Sequence, residues 1–185
     1  MMGSGKTTSI FKKINAHPEQ RRIYICRYLD EAKRIQEECP SAHFVQPKED
    51  SHGSKQQDFC SLIKQGANIA ITHELFRRIC LTKKLLELIE QFGYKLILDE
   101  VPMIIDLLKV SFQDRKEILE RYAEIDDDGF VKWTDKEYRG NHEHIMKQIQ
   151  SRAIVNFNNT FLWLFPIELI QAFNEVDVLT FMFGS

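Results

Sequence analysis

Short apolar runs alternate with amphipathic segments along roughly the first half of the chain. The predicted strands in this part are Arg21–Tyr28, Asn68–His73 and Tyr94–Val101. The last of them is apolar almost throughout, which is typical of a strand buried on both faces of a parallel sheet. The predicted helices are Thr7–His17, Asp30–Cys39 with Asp30 as its N-cap, Asp58–Gly66 and Lys83–Gly93. Because strands and helices alternate, we expect an α/β fold with a mostly parallel sheet and helices on both faces.

The pattern changes after the third predicted strand. Two amphipathic helices flank a hairpin that turns at Asp128-Gly129, and we interpret residues 107–152 as a helix-plus-hairpin insertion in the sheet. Beyond it the pattern predicts two short strands around Asn158-Asn159, a helix that begins at Pro166 and a last buried strand, Val176–Phe183. We expect residues 1–185 to form a single domain.

Composition and charge narrow the class of protein. The 185 residues are 43% hydrophobic and carry a formal net charge of -2, so any binding to nucleic acid must use a local basic patch. The four cysteines form no CxxC pair, which argues against a zinc site and favours reduced thiols. No signal peptide or long apolar segment is present, so we expect no membrane partner and a location in the cytoplasm of a bacterium or phage-infected host.

The stretch GSGKTT near the start supplies the second half of the phosphate-binding pattern GxxxxGK[ST]. Glycines let backbone N–H groups close around phosphate oxygens, and the helix that follows turns its positive end toward them. In such a loop Lys6 reaches the β and γ phosphates, and the Thr7 hydroxyl binds Mg²⁺. The predicted nucleotide-binding residues are Gly3, Ser4, Gly5, Lys6, Thr7 and Thr8.

The apolar strand LILDEV ends in two carboxylates, Asp99 and Glu100. Ligands of open α/β sheets bind at the carboxyl ends of the strands, so these two side chains are expected at the nucleotide site. We predict that Asp99 binds Mg²⁺, directly or through water, and that Glu100 orients or deprotonates the attacking water. Lys6, Asp99 and Glu100 are therefore the predicted catalytic residues.

The two motifs together resemble motifs I and II of superfamily 2, the DEAD-like helicases and translocases, in the form that many phages encode. Three further stretches resemble other motifs of that family and follow one another along the chain in the same order as those motifs. YICRYLDEAKRI resembles motif Ia, ITHELF resembles the Thr-His stretch of several DNA translocases, and VLTFMFGS resembles motif III. One departure is Pro102, since the family has Asp or His there to contact motif III.

The resemblance implies a P-loop NTPase fold and the first RecA-like domain of an ATP-dependent helicase or translocase, with ATP and Mg²⁺ as cofactors. It implies that Arg27, Thr72 and His73 lie on the path of a nucleic acid and that Thr180 couples this path to the nucleotide site. The implied partners are single- or double-stranded nucleic acid, with DNA favoured, and a second RecA-like domain. We expect the sequence to be a fragment of a longer helicase that hydrolyses ATP poorly by itself.

Two other interpretations remain open. A P-loop nucleotide or small-molecule kinase shares the glycine-rich start. Such an enzyme carries an arginine-rich lid, however, and the sequence shows no convincing one. An inactive nucleotide-binding module with a degenerate loop also fits the sequence.

Other polar residues favour structural roles. His142 and His144 have the spacing of a metal-binding pair, but their polar surroundings favour solvated side chains. The run Asp126–Asp128 lacks the EF-hand pattern and favours a hairpin turn. The aromatic residues predicted to lie in the core near the end of the chain are Phe157, Phe161, Trp163 and Phe165.

Overall fold

The structure is a computed structural model that describes residues 4–49, 53–79, 82–99 and 105–179. Within these ranges the side chains of residues 4–6, 167 and 168 are not described. The chain divides into two compact units. The described residues up to 79, together with 83–99 and 168–179, belong to the first unit, and Thr82 and residues 105–167 belong to the second.

The chain starts in the first unit, passes through the second and returns to the first. The elements before the second unit are α1 (Ser4–Ala16), β1 (Arg22–Cys26), α2 (Leu29–Glu38), α3 (Lys55–Lys64), β2 (Ile69–Thr72), α4 (His73–Arg78), α5 (Lys83–Gln91) and β3 (Lys95–Asp99). The elements that follow are β4 (Ile105–Leu107), α6 (Phe112–Arg121), β5 (Ala123–Ile125), β6 (Val131–Trp133), α7 (Glu143–Gln150), β7 (Ile154–Phe157) and β8 (Thr160–Leu164). The last two are α8 (Ile167–Gln171) and β9 (Glu175–Leu179).

A four-stranded parallel sheet forms the centre of the first unit, in the order β2-β1-β3-β9. The α/β fold with a parallel sheet is therefore confirmed. Nearly every residue of β1, β2 and β3 is buried, as expected for strands covered on both faces. The expectation of a fully buried last strand is wrong over its described part, because Val178 of β9 is 47% exposed.

One face of the sheet packs against α1 and α2. Ile10, Phe11 and Ile14 of α1 share a buried cluster with Tyr24 of β1 and Ile97 of β3. Alternation of side chains along a strand puts these two strand residues on one face, since they also lie opposite each other in the β1–β3 register. This packing fixes α1 against the middle of the sheet.

Glycines end two helices of the first unit, as the sequence predicts. Gly66 follows α3 with φ 68°, and Gly93 follows α5 with φ 65°. Only glycine adopts this left-handed conformation without steric cost. The predicted N-cap of α2 is wrong, however: the helix begins earlier, and Tyr28 rather than Asp30 precedes it.

The second unit consists of short antiparallel strands and two helices. Strands β4, β8 and β7 form a three-stranded sheet, and β5 and β6 form the predicted hairpin with Gly129 in its turn at φ 86°. The turn between β7 and β8 uses Asn158 and Asn159, both with positive φ, as the residue types predict. The predicted insertion, 107–152, lies inside this unit, which continues through β8. Phe157 is 61% exposed, so the expectation that it lies in the core is wrong.

Candidate functional site

Helix α1 runs antiparallel to the sheet strands, so that its first turn lies at the carboxyl edge, where the strands end. A short connection joins α1 to the beginning of β1, where the Arg22 guanidinium donates a hydrogen bond to the His17 carbonyl oxygen at 2.8 Å. Near the end of α1, Lys13 forms ion pairs with Glu175, the first residue of β9, and with Asp177, its third residue. Both contacts put the last turn of α1 at the amino edge of the sheet, and the first turn therefore lies at the opposite edge.

The predicted nucleotide-binding residues fall in or before this first turn. The backbone of Ser4, Gly5 and Lys6 is already helical, so the helix begins earlier than the predicted start at Thr7. The Thr7 side chain is half-buried and Thr8 is exposed. The first turn contains no acidic residue, and the first backbone N–H groups of a helix have no acceptor within it. Gly3 and the side chains of residues 4–6 lie outside the described part of the chain.

Asp99 is the last residue of β3 and is buried, with 7% of its surface exposed. It lies on the same face of the sheet as Ile97, because alternate residues of a strand share a face. Ile97 packs in the cluster that contains the α1 residues. The Asp99 carboxylate and the first turn of α1 therefore share both a face and an edge of the sheet. The other predicted acid, Glu100, lies outside the described residues.

Tyr24 is a partner of Asp99 that the sequence pattern does not predict. The Tyr24 hydroxyl donates a hydrogen bond to Asp99 Oδ2 across the β1–β3 pair. Burial raises the pKa of Tyr24 above its ordinary value, with the Asp99 carboxylate as the next cause, so the hydroxyl stays a donor. One sequence signal could have predicted this pair. A Tyr with its polar hydroxyl lies within an otherwise aliphatic strand, on the same face as the Asp that ends the adjacent strand of the sheet.

Thr72 and His73 make contacts within the first unit. The Thr72 hydroxyl accepts a hydrogen bond from the Leu75 backbone N–H at 3.2 Å and caps the N-terminus of α4. The His73 Nε2 atom lies 3.2 Å from the Asp99 carbonyl oxygen. His73 therefore connects the end of β2 to the end of β3, across the intervening strand β1. Their predicted role on a nucleic-acid path stays a prediction, as does that of Thr180, which lies outside the described residues.

A cavity of about 630 Å³ opens at the carboxyl ends of β1 and β2. Two of the three residues predicted to meet a nucleic acid, Arg27 and Thr72, line it together. The remaining lining residues are Tyr28, Leu29, Asp30, Lys33, Lys55, Glu74, Leu75 and Arg78. Four of the ten lining side chains are basic and two are acidic, so the cavity carries a net positive charge on a chain whose formal net charge is negative.

Arg27 and Tyr28 are two exposed residues of the cavity lining. The Arg27 guanidinium lies over the Tyr28 ring at 5.2 Å from its centre. Glu31 Oε2 accepts hydrogen bonds from the backbone N–H groups of both residues, each at 3.0 Å. A capping carboxylate of this kind fixes the backbone at the start of α2 and thereby sets the direction in which the two side chains leave it.

In the second unit, the burial of the His142 side chain differs from the predicted exposure to solvent. Its side chain is 12% exposed rather than solvated, stacks on Tyr138 at 6.3 Å, and places Nε2 3.6 Å from Glu117 Oε2. Asp114 completes a group whose possible ligand atoms lie within 4.8 Å of one another, an arrangement that is common without an ion. The run Asp126–Asp128 forms a hairpin turn, as predicted. In this turn Asp126 Oδ1 accepts hydrogen bonds from the backbone N–H groups of Asp128 and Phe130.

Comparison with known proteins gives one relative of the whole chain. The chain is 33% identical over 198 aligned residues to the SPbeta prophage-derived uncharacterized protein YonV of Bacillus subtilis. The match covers 100% of this chain and 48% of the relative, so the chain spans about half the length of that protein. No protein-family model matches the chain, and no solved structure matches it significantly. Among the described residues, no helix combines the length and apolar character that crossing a membrane requires.

Proposed function

We propose that this chain is the nucleotide-binding part of a phage-encoded, ATP-dependent helicase or translocase with a P-loop NTPase (RecA-like) fold. The observation that carries the proposal is the shared position of α1 and Asp99. The helix that begins at Ser4, within GSGKTT, directs its first turn toward the edge, and toward the face, where the Asp99 carboxylate of the LILDEV strand lies. The beginning of α1 and the Asp99 carboxylate, which are far apart in sequence, therefore lie on the same face and toward the same edge of the sheet.

The donor groups at this edge fit a magnesium-bound triphosphate. The Asp99 carboxylate and the Thr7 hydroxyl offer oxygen ligands, which Mg²⁺ prefers in proteins. The first turn of α1 offers backbone N–H groups and the positive end of a 13-residue helix, both of which favour phosphate. Bound Mg²⁺ supplies charge neutralisation for the phosphates. In this proposal Lys6 binds the β and γ phosphates, Thr7 and Asp99 hold the metal, and Glu100 positions water.

Tyr24 adds a positioning role to this scheme. Its hydroxyl holds one oxygen of the Asp99 carboxylate and thereby fixes the rotation of the carboxyl group. A carboxylate oriented in advance loses less conformational freedom when it binds a cation. Tyr24 thus acts through Asp99 rather than on the nucleotide.

Two further observations support the nucleic-acid part of the proposal. The basic cavity lies at the same carboxyl edge of the sheet as Asp99, at the ends of β1 and β2. His73, the first residue of α4, contacts the main chain of Asp99, so the segment that follows β2 at the cavity also touches the proposed nucleotide site. The relative of prophage origin agrees with a phage source for the chain.

Nucleotide titration tests the proposal. A fluorescent, non-hydrolysable ATP analogue is titrated into the chain with Mg²⁺ and, separately, with EDTA. We expect saturable binding that requires Mg²⁺ and that falls at least about tenfold in Lys6→Ala, since a charge-assisted phosphate contact is removed. Lys12→Ala is the matched control, because Lys12 is an exposed lysine of the same helix. Equal affinity of wild type and Lys6→Ala would favour an inert binding module instead.

A further inference from the structure

The three-stranded sheet of the second unit, β4-β8-β7, has one buried face and one face that is open to solvent. Ile154, Phe161 and Trp163 lie on the buried face, with 0%, 0% and 3% of their surfaces exposed. Side chains alternate between the two faces along a strand, and directly paired residues share a face. The side chains of the other face, here called the outward face, are Ile105, Leu107, Val155, Phe157, Thr160, Leu162 and Leu164.

The outward face is apolar and partly exposed. Six of its seven side chains are apolar and none is charged. Ile105 is 58% exposed, Leu107 is 54% exposed and Phe157 is 61% exposed, and the other four are half-buried. Single apolar side chains in water are common, but a continuous apolar face marks an interaction surface. A sheet that is apolar on both faces is typical of one that is covered on both sides.

We propose that the outward face binds the outward face of a second copy of the chain, so that the two sheets form the core of a six-stranded sandwich. In such a twofold contact the same patch is used by both copies. A charged patch would repel itself there, whereas an uncharged apolar face meets itself without repulsion. The formal net charge of the chain is only -2, so long-range repulsion between two copies is also weak. This inference does not depend on the proposed function.

The arrangement of side chains on the outward face suits packing against a second sheet. Leu162 of β8 lies opposite Leu107 of β4 on one side and opposite Val155 of β7 on the other, so an apolar row crosses all three strands. Ile105 and Leu164 form a second pair beside this row. Two sheets pack face to face about 10 Å apart, and their side chains interdigitate in the layer between them. Rows of this kind on both copies can fill that layer.

The size of the outward face determines how strong the contact should be. A stable interface contains about 20–30 residues on each side, whereas the outward face supplies seven side chains. The face therefore provides the apolar core of a small interface rather than that of an obligate dimer. We expect a reversible dimer with a dissociation constant of about 10 µM.

Sedimentation velocity tests the proposal on the whole chain. We expect mainly monomer at about 1 µM and mainly dimer at about 200 µM. Leu107→Glu and Phe157→Glu should each weaken the dimer at least about tenfold, because each places a charge in the apolar layer. Both side chains are more than half exposed, so folding should be retained, and circular dichroism checks it. The matched control is Phe112→Glu, which places the same charge at a position of α6 that is 66% exposed and should leave association unchanged.

Hydrogen exchange of the wild-type chain provides a second measurement that needs no variant. The backbone amides of β4, β7 and β8 should exchange more slowly at about 200 µM than at about 1 µM, while those of the first unit should not change. A chain that stays monomeric at the higher concentration overturns the proposal. A dimer that both variants leave intact, that Phe112→Glu weakens equally, or that slows exchange only outside these three strands uses another surface and also overturns it.

Discussion

The Tyr24 hydroxyl donates a hydrogen bond to the buried Asp99 carboxylate across two adjacent strands of the parallel sheet. Both residues lie on the face that packs against α1, and Asp99 ends its strand at the edge toward which the first turn of α1 points. A buried anion needs hydrogen-bond donors, because burial removes the water that would otherwise solvate it. Tyr24 therefore allows a carboxylate to be kept at this edge of the sheet.

Removal of this hydroxyl should destabilise the first unit. We expect Tyr24→Phe to lower the free energy of unfolding by about 2 kcal/mol, because it takes a donor from a buried charged acceptor. Tyr94→Phe is the matched control: the Tyr94 hydroxyl donates to the neutral carbonyl oxygen of Ala67 at 2.8 Å, so its loss should cost about 1 kcal/mol. Urea denaturation monitored by circular dichroism measures both. Equal losses of unfolding free energy in the two variants would mean that the hydrogen bond to Asp99 stabilises the fold no more than one to a neutral carbonyl oxygen.

The ion pairs that anchor α1 to β9 should make stability depend on pH in the acidic range. Hydrogen bonds from Lys13 and Lys95 hold the pKa of the Glu175 carboxyl at about 2, below its ordinary value of 4.5. Because the folded-state pKa is lowered, the stabilisation is fully present above pH 4.5 and is lost as the pH falls toward 2. Exposure of Glu175 limits the effect to about 1 kcal/mol.

The variant Glu175→Gln tests this dependence. The difference in unfolding free energy between wild type and Glu175→Gln should be constant from pH 6 to 5 and should shrink toward zero between pH 4.5 and 2. Denaturant titrations at a series of pH values measure it. A difference that stays constant through this acidic range would show that the ion pairs do not act on stability.

The cysteines of the first unit should differ in reactivity. Burial raises the pKa of Cys26 to about 12 and that of Cys39 to about 11, whereas Cys60 is only half-buried. The thiolate is the reactive form, so Cys26 and Cys39 should resist iodoacetamide in the native chain and react after unfolding. Peptide mass mapping after timed labelling at pH 8 distinguishes the sites. Modification of Cys26 as fast as Cys60 in the native chain would contradict the buried position of β1.

Hydrophobic pattern sufficed to predict the strands of the first unit and the class of the fold. The buried strands, the glycines after α3 and α5, and the hairpin at Gly129 all follow from local rules that involve a few neighbouring residues. The sequence pattern does not predict α4, which begins at His73, the last residue of the predicted strand Asn68–His73. There the Thr72 hydroxyl caps a helix, and such a cap competes locally with continuation of the strand.

The site was only partly predictable, because its contacts are made between elements. The place of Asp99 at the end of an apolar strand makes it predictable as a site residue, but its contact with Tyr24 follows only from the β1–β3 register. The sequence pattern predicts Tyr28 at the end of a strand, whereas it precedes α2 and is an exposed residue of the cavity lining. The polar surroundings of His142 in the sequence predict a solvated side chain, whereas its ring stacks on that of Tyr138, a contact that the pattern of α7 does not reveal.

The central claim is that Lys6 and Asp99 act on one magnesium-bound triphosphate, and a double-mutant cycle tests it most directly. Affinity for the Mg²⁺–ATP analogue is measured for wild type, Lys6→Ala, Asp99→Asn and the double variant. If both side chains act on the same ligand, each single variant weakens binding and the double variant weakens it by less than the product of the two effects. The account would be contradicted if the affinity loss of the double variant equalled the product of the two single losses. It would also be contradicted if Asp99→Asn left the affinity unchanged.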